Sequence, residues 1–322
     1  MIKNLIVLVL SVPLLTGCAF INLSNLASSS IEETIVEESA GYFVADKVLL
    51  IDVSGEISDY GDSSLFGSSA ACTPYYIKSI LNKAEKDSFI KAVILRIDSP
   101  GGSVTASSTI AREIKRFKQK TGLPVYAYIN GLGCSGAYYI SAPCDKIYIQ
   151  PDGLTGSIGV IMMLPKFMKL AEKVGYEMVV IKSAAMKDIG NSFRDMTEEE
   201  KQVFQSIIDS SYGNFLSWIM ECRPKATDMA SLKTVADGRI YDAKQALDRK
   251  IVDKICFLED AIADVKQAAR MSDANVVTYG YIESDDANIY SPAGASQKIK
   301  LMNVNIPGNR RAGFYYMWMP GE

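Results

Sequence analysis

The sequence predicts an α/β fold with a mostly parallel sheet in a single domain. Three observations carry that expectation. Short β-branched runs alternate with helical stripes from Lys47 onward. The runs are apolar without interruption, as in strands buried on both faces. Gly, Ser, Asp or Pro stops the first two runs, as turn residues do.

The elements follow in order. Val48-Leu49-Leu50-Ile51-Asp52-Val53 is a buried strand that ends at Ser54-Gly55. Tyr76, Ile77, Ile80, Leu81 and Ala84 recur at helical spacing on one face. Ala92 to Ile97 is a second strand, stopped by Asp98-Ser99-Pro100-Gly101-Gly102. Ala106, Ile110, Ile114 and Phe117 form the next helical stripe. Pro124 to Ile129 is a strand, and a helix begins at Ser135. Lys146 to Ile149 and Met178 to Ile181 read as further strands. Thr197-Glu198-Glu199-Glu200 is a capping box: the Thr hydroxyl and the last Glu satisfy free N–H groups at a helix start. Val203, Phe204, Ile207, Ile208, Phe215 and Ile219 then place a stripe on a long helix that ends before Pro224.

Composition narrows the function. The chain has 322 residues with 34 Lys+Arg and 37 Asp+Glu, a net charge of −3. It is long enough to bury a full core without a metal or disulfide staple. The mild negative charge argues against a surface for nucleic acid. There is no histidine. Ser-His-Asp triads, Cys-His dyads and His-ligated metals are therefore excluded. A nucleophile here needs another base, and lysine is the usual substitute once burial favours its neutral form.

The N-terminus reads as a targeting segment. Lys3 is followed by the apolar run Leu5 to Leu15, too short for a bilayer span but right for a signal peptide. Leu15-Thr16-Gly17-Cys18 resembles the lipobox of bacterial lipoproteins. That resemblance implies removal of residues 1–17 and acylation of Cys18; a plain signal peptide containing Cys18 is the alternative. Ala19 stands where an Asp would signal inner-membrane retention. The expected location is the extracytoplasmic side of the bacterial cell envelope, on the periplasmic face of the inner or outer membrane.

Residues 18–43, rich in Ser, Asn and Glu, read as the acylated cysteine and a flexible tether. The catalytic domain is expected over 44–270. Residues 271–322 form a C-terminal extension in which periodicity thins, ending in Gly313-Phe314-Tyr315-Tyr316-Met317-Trp318-Met319-Pro320. So apolar an end should dock in a groove or a subunit interface. Apart from Cys18, the cysteines are Cys72, Cys134, Cys144, Cys222 and Cys256. Their irregular spacing fits neither a disulfide framework nor a metal site, and leaves open one bridge or buried free thiols. No metal or organic cofactor is implied.

Four segments can carry chemistry. Ser99-Pro100-Gly101-Gly102-Ser103 follows a strand, and its glycines allow N–H groups to face a ligand, although most such turns only connect elements. Gly131-Leu132-Gly133-Cys134-Ser135-Gly136-Ala137-Tyr138-Tyr139 places a serine where a strand gives way to a helix. Such a serine is ordinarily a cap, yet the position also suits a nucleophile, because the helix N–H groups stabilise negative charge. Leu154-Thr155-Gly156-Ser157-Ile158-Gly159-Val160 is another Gly/Ser turn. Lys187, in Lys182-Ser183-Ala184-Ala185-Met186-Lys187-Asp188, is either a base or a solvated surface lysine.

Together these segments, in order and spacing, resemble the bacterial signal peptide peptidase A family of Ser/Lys-dyad serine peptidases. The resemblance runs from about Lys47 to Leu258 and includes Ala236-Asp237-Gly238-Arg239-Ile240-Tyr241. It implies a crotonase/Clp-protease-like βαβ spiral. By position it makes Ser135 the nucleophile, Lys187 the general base and Ser157 the residue that orients the base. Gly102 and Gly136 would supply the oxyanion N–H groups. The implied substrates are cleaved signal peptides and other apolar polypeptides. Relatives assemble into rings whose neighbouring subunits supply Ser and Lys, so a ring-shaped homo-oligomer is expected. Two departures stand out: Cys134 where the family has a small residue, and a lipobox in place of an uncleaved anchor. The rival readings are a non-catalytic lipoprotein scaffold or peptide-binding module, and an acyl-CoA enzyme of the crotonase type, which a secreted chain disfavours because coenzyme A is cytosolic.

Overall fold

Strand β2 (Lys47–Ser54) is buried along nearly its whole length, which demands cover on both faces of its sheet. The computed structural model describes residues 31–41, 44–59, 72–224, 228–280, 288–289 and 313–318. From Glu32 on, these form one compact unit. The signal segment and Cys18 lie outside the described residues.

In chain order the elements begin with β1 (Glu32–Glu37), β2, α1 (Pro74–Ala84), β3 (Ile90–Ser99), β4 (Gly101–Ser103) and α2 (Val104–Thr121). Next come β5 (Val125–Cys134), α3 (Gly136–Ser141), β6 (Lys146–Ile149), β7 (Leu154–Gly156), β8 (Ile161–Met163) and α4 (Met168–Val174). A 3-10 turn (Ala185–Asp188), α5 (Glu198–Cys222), α6 (Met229–Val235), β9 (Ile240–Asp242) and α7 (Ala243–Asp248) follow. The chain closes with β10 (Lys254–Ile255), α8 (Leu258–Ala268), β11 (Asn275–Gly280) and β12 (Gly313–Met317).

The main sheet has the order β1-β11-β2-β3-β5-β6-β10, parallel from β11 to β10, with β1 antiparallel at its edge. The expected α/β fold with a mostly parallel sheet is present. Alternate residues face α8: Val48 and Leu50, Ala92 and Ile94, and Tyr126 and Tyr128 share one core with Leu258, Ile262 and Val265. A second, antiparallel sheet, β4-β12-β8, lies beyond the ends of these strands.

The helix starts are locally encoded. Thr73 accepts from Tyr76 N–H with Pro74 at the first turn, and the capping box at Thr197 and Glu200 starts α5. Three expectations need correction. Met178–Ile181 is not a strand: among the described residues it pairs with none, and Val179 and Ile181 are 78% and 96% exposed. A strand needs a partner edge, and no described strand offers it one. Residues 32–37, read as tether, pair as β1 along β11. Residues 275–280, read as extension, are β11, inserted between β1 and β2.

One buried charge pair ties the sheet to the extension. Asp52 and Arg96 stand opposite each other on β2 and β3, joined by two bonds of 2.6 and 2.8 Å. Arg96 also donates to the carbonyl of Ile289. Asp52→Ala leaves the guanidinium buried without its counter-charge. Urea unfolding should show a loss of about 3–5 kcal/mol, well beyond an ordinary surface change.

Candidate active site

Ser135 sits where β5 passes straight into α3. β5 pairs with β7 up to Cys134 opposite Gly156, and Ser135 N–H donates to the Gly156 carbonyl at 2.8 Å. The chain must then turn at once into a helix, which forces Ser135 to φ 53°, ψ −112°. A non-glycine residue there is strained, and such strain gathers at functional positions. Ser135 makes no capping bond. It is 1% exposed, and its Oγ has no hydrogen-bond partner. The hydroxyl is therefore not a helix cap; it is a buried polar group without a partner among the described residues.

Two N–H groups converge beside it. Ile57 pairs with β4 on one side, donating to the Gly101 carbonyl at 2.9 Å and accepting from Ser103 N–H at 2.7 Å. Strand geometry then turns the Gly102 N–H to the opposite side, toward β12, where Tyr316 stands opposite it. A Cβ on Gly101 would collide with the Tyr316 carbonyl oxygen and lie 2.8 Å from the Gly136 nitrogen. A Cβ on Gly136 would collide with Ser107 Oγ and lie 3.0 Å from that carbonyl oxygen and 3.3 Å from the Gly102 nitrogen. Only glycines permit this close approach. The backbones of Gly102 and Gly136 thus approach each other and the Tyr316 carbonyl oxygen closely, and an oxyanion hole requires two such N–H groups near one point.

Ser157 follows β7 at φ 49°, its N–H donating to the Arg239 carbonyl at 2.7 Å. It is buried and lines a cavity of about 570 Å³ with Ile158, Ile208, Tyr212, Met317 and Trp318. Ser135, Gly136, Gly102 and Ser157 are therefore on adjoining elements at one end of the sheet.

Lys187 is not with them. It is exposed on the 3-10 turn and makes no hydrogen bond to Ser135. Its neighbour Asp188 is clamped: Arg194 donates to both Asp188 carboxylate oxygens at 2.9 Å and to Glu200 at 2.9 Å, and Lys182 adds a bond of 2.6 Å. Arg194 and then Lys182 hold the Asp188 carboxyl well below the usual range. Arg194 and the Thr197 N–H lower Glu200 to about 2. The clamp presents Lys187 outward on a fixed turn. No pattern in the sequence marks Arg194, since its partners come from a turn and a helix cap.

The cysteines are free in the described residues, which decides between a bridge and free thiols. Cys134 is fully buried with Sγ near the Leu154 carbonyl at 3.8 Å, and burial pushes its thiol up to about 12. It is not a rival nucleophile. Sequence reading also missed Ser107, a second buried hydroxyl without a partner, packed against Gly136. Nor did it assign the tail to its own chain: β12 seals β4 and β8 through Tyr316 opposite Gly102 and Phe314 opposite Met162.

The model of peptidase family S49 matches residues 117–272. A Methanocaldococcus jannaschii protein with a provisional protease name is 36% identical over 269 residues, covering 82% of this chain and 85% of the relative. An Enterococcus faecium protein, provisionally named signal peptide peptidase SppA, is 36% identical over 265 residues, covering 82% and 74%. The chloroplastic serine protease SPPA of Arabidopsis thaliana is 31% identical over 227 residues, covering 70% of this chain and 33% of that one. A strained, buried serine beside paired glycine N–H groups, in a chain so closely related to these proteases, leads to one conclusion: this chain belongs to peptidase family S49 and is a serine peptidase of the signal peptide peptidase-like kind.

Proposed function

We propose that the chain is a membrane-tethered endopeptidase that degrades cleaved signal peptides and other apolar polypeptides, with Ser135 as nucleophile and Lys187 of a neighbouring copy as general base. The observation that carries the reading is the buried Ser135 hydroxyl, without a partner among the described residues, next to the closely approaching backbones of Gly136 and Gly102. The exposed position of Lys187 supports the second half. The apolar segment before it, Met178–Ile181, is uncovered in the single chain. A second copy packed there would bury it and bring a lysine into the open cavity beside Ser157. Burial between copies is what a lysine base needs, because desolvation favours the neutral amine.

The steps balance on these groups. Ser135 Oγ attacks the scissile carbonyl carbon, and its proton passes to the lysine amine. The N–H groups of Gly102 and Gly136 hold the oxyanion, and Ser157 orients the lysine. Collapse breaks the C–N bond, and the lysine gives its proton to the leaving amine. The same lysine then deprotonates a water, which attacks the ester; Ser135 leaves and regains its proton. An acylated Cys18 would keep the enzyme at the envelope membrane, where stable anchoring takes more than one acyl chain.

The test is direct. The full chain, assembled in detergent, is incubated with a synthetic signal peptide and the fragments are read by mass spectrometry. Internal cleavage is expected. An assembled chain that leaves both this peptide and unfolded apolar polypeptides intact would sink the proposal.

The tail bears on the same assay. With Tyr316 opposite Gly102, β12 lies where the acyl half of a substrate would pair with β4. Deleting residues 313–322 should raise kcat/KM for short peptides roughly tenfold, as a site occupied most of the time becomes free. Unchanged activity and oligomer size would mean the tail does not compete.

A further inference from the structure

We infer that the pocket holding the Tyr316 side chain is the primary specificity pocket, and that it selects tyrosine on the acyl side of the scissile bond. This rests on the peptidase reading above. Tyr316 pairs with Gly102 on β4 and its carbonyl oxygen lies close to the Gly136 backbone, so it takes the place of the residue that becomes the acyl group. The following residues, Met317 and Trp318, run along the cavity that Ser157 lines, where a leaving segment would pass. Trp318 N–H continues the ladder to the Pro100 carbonyl at 2.8 Å.

The pocket is built for a phenol. Tyr316 is 1% exposed. Its ring stacks on Tyr139 at 5.3 Å between centroids, tilted by 22°, and meets Phe215 at 4.5 Å. Tyr139 in turn stacks on Trp218 at 5.5 Å, and Trp218 Nε1–H donates to the Tyr139 carbonyl at 3.1 Å, so the wall is held from behind. At the bottom, the Tyr316 hydroxyl donates to the Ser211 carbonyl at 3.0 Å. A buried hydroxyl needs such a partner, and Ser211 supplies it without moving. Tyr139 lies one turn after Ser135 on α3, and Ser211 and Phe215 lie one turn apart on α5. The short helix α3 thus links the nucleophile to Tyr139 of the pocket wall, and α5 supplies Ser211 and Phe215.

An aliphatic residue would lose the ring contacts, and phenylalanine would lose only the bond to Ser211. Peptides identical except for one central residue (Tyr, Phe, Leu or Ala) would be given to the assembled full chain, with cut position and kcat/KM measured. Cleavage is expected directly after the varied residue. Tyr should exceed Phe by roughly threefold to tenfold and Ala by roughly a hundredfold. Phe215→Leu should bring the Tyr-to-Leu ratio toward one while the chain still melts cooperatively. Equal or better cleavage after Leu in the wild type, or a ratio untouched by Phe215→Leu, would overturn the pocket and leave the peptidase reading standing. Binding of the same peptides to the Ser135→Ala chain separates the two claims: there Tyr should still bind more tightly than Leu even with no cleavage. Equal affinities would overturn the pocket by themselves.

Discussion

Ser135→Ala abolishes peptide hydrolysis, with kcat expected to fall by roughly a thousandfold or more. Neither of the usual substitutes, a histidine-activated group or the neighbouring cysteine, can replace it. The chain has no histidine to activate a different nucleophile. Cys134, next door, is buried with its thiol pushed up to about 12, so it stays protonated at working pH. The variant removes only a hydroxyl that makes no hydrogen bond among the described residues and keeps the Cβ, so the fold should persist. The measurement is turnover of a fluorogenic peptide, with oligomer size read on the same sample. Activity above about one hundredth of wild type, in an intact assembly, would point instead to Ser107, the other buried hydroxyl at Gly136.

The second large effect concerns Lys187. Lys187→Ala alone should be as inactive as Ser135→Ala. Mixed and reassembled with Ser135→Ala, it should recover about a quarter of wild-type activity, because each site then draws an intact serine from one copy and an intact lysine from another at random. If the dyad formed within one chain, the mixture would stay dead. The structure motivates the experiment from both sides. Ser135 Oγ lacks a partner, and Lys187 faces outward on a turn fixed by Asp188, Arg194 and Glu200. Co-expression of the two variants gives the needed exchange of subunits. A recovered activity that vanishes when the assembly is diluted to monomers would tie it to the interface.

Much of this was legible in the sequence for a local reason. The strands Val48–Val53 and Ala92–Ile97 and the helices of residues 74–84 and 104–121 are encoded by runs, stripes and caps within a few residues. The Gly/Ser turns that carry Ser135, Ser157 and Gly102 have the same local character, since a tight turn or a close backbone approach demands small residues there. The failures are non-local. Met178–Ile181 has the composition of a strand, but a strand exists only where an edge accepts it. Residues 32–37 look like a polar tether and become β1 because β11 presents a free edge. The stripe on α5 buries Phe215 and Ile219 but leaves Val203 and Ile207 exposed, so apolar periodicity marked a face without saying what covers it.

The residue types available for catalysis were determined by the sequence alone. With no histidine, a serine at a strand-to-helix junction and a lysine after small residues are the two positions that the family resemblance singles out. Only the tertiary structure decided which of these groups meet. It brought Gly102 to Gly136 across 34 residues, set the tail's Tyr316 carbonyl close to both, and left Lys187 exposed. The physical reason is that chemical identity is a property of each side chain, whereas proximity depends on strand register and on which backbone N–H groups remain free after the sheet has used the rest.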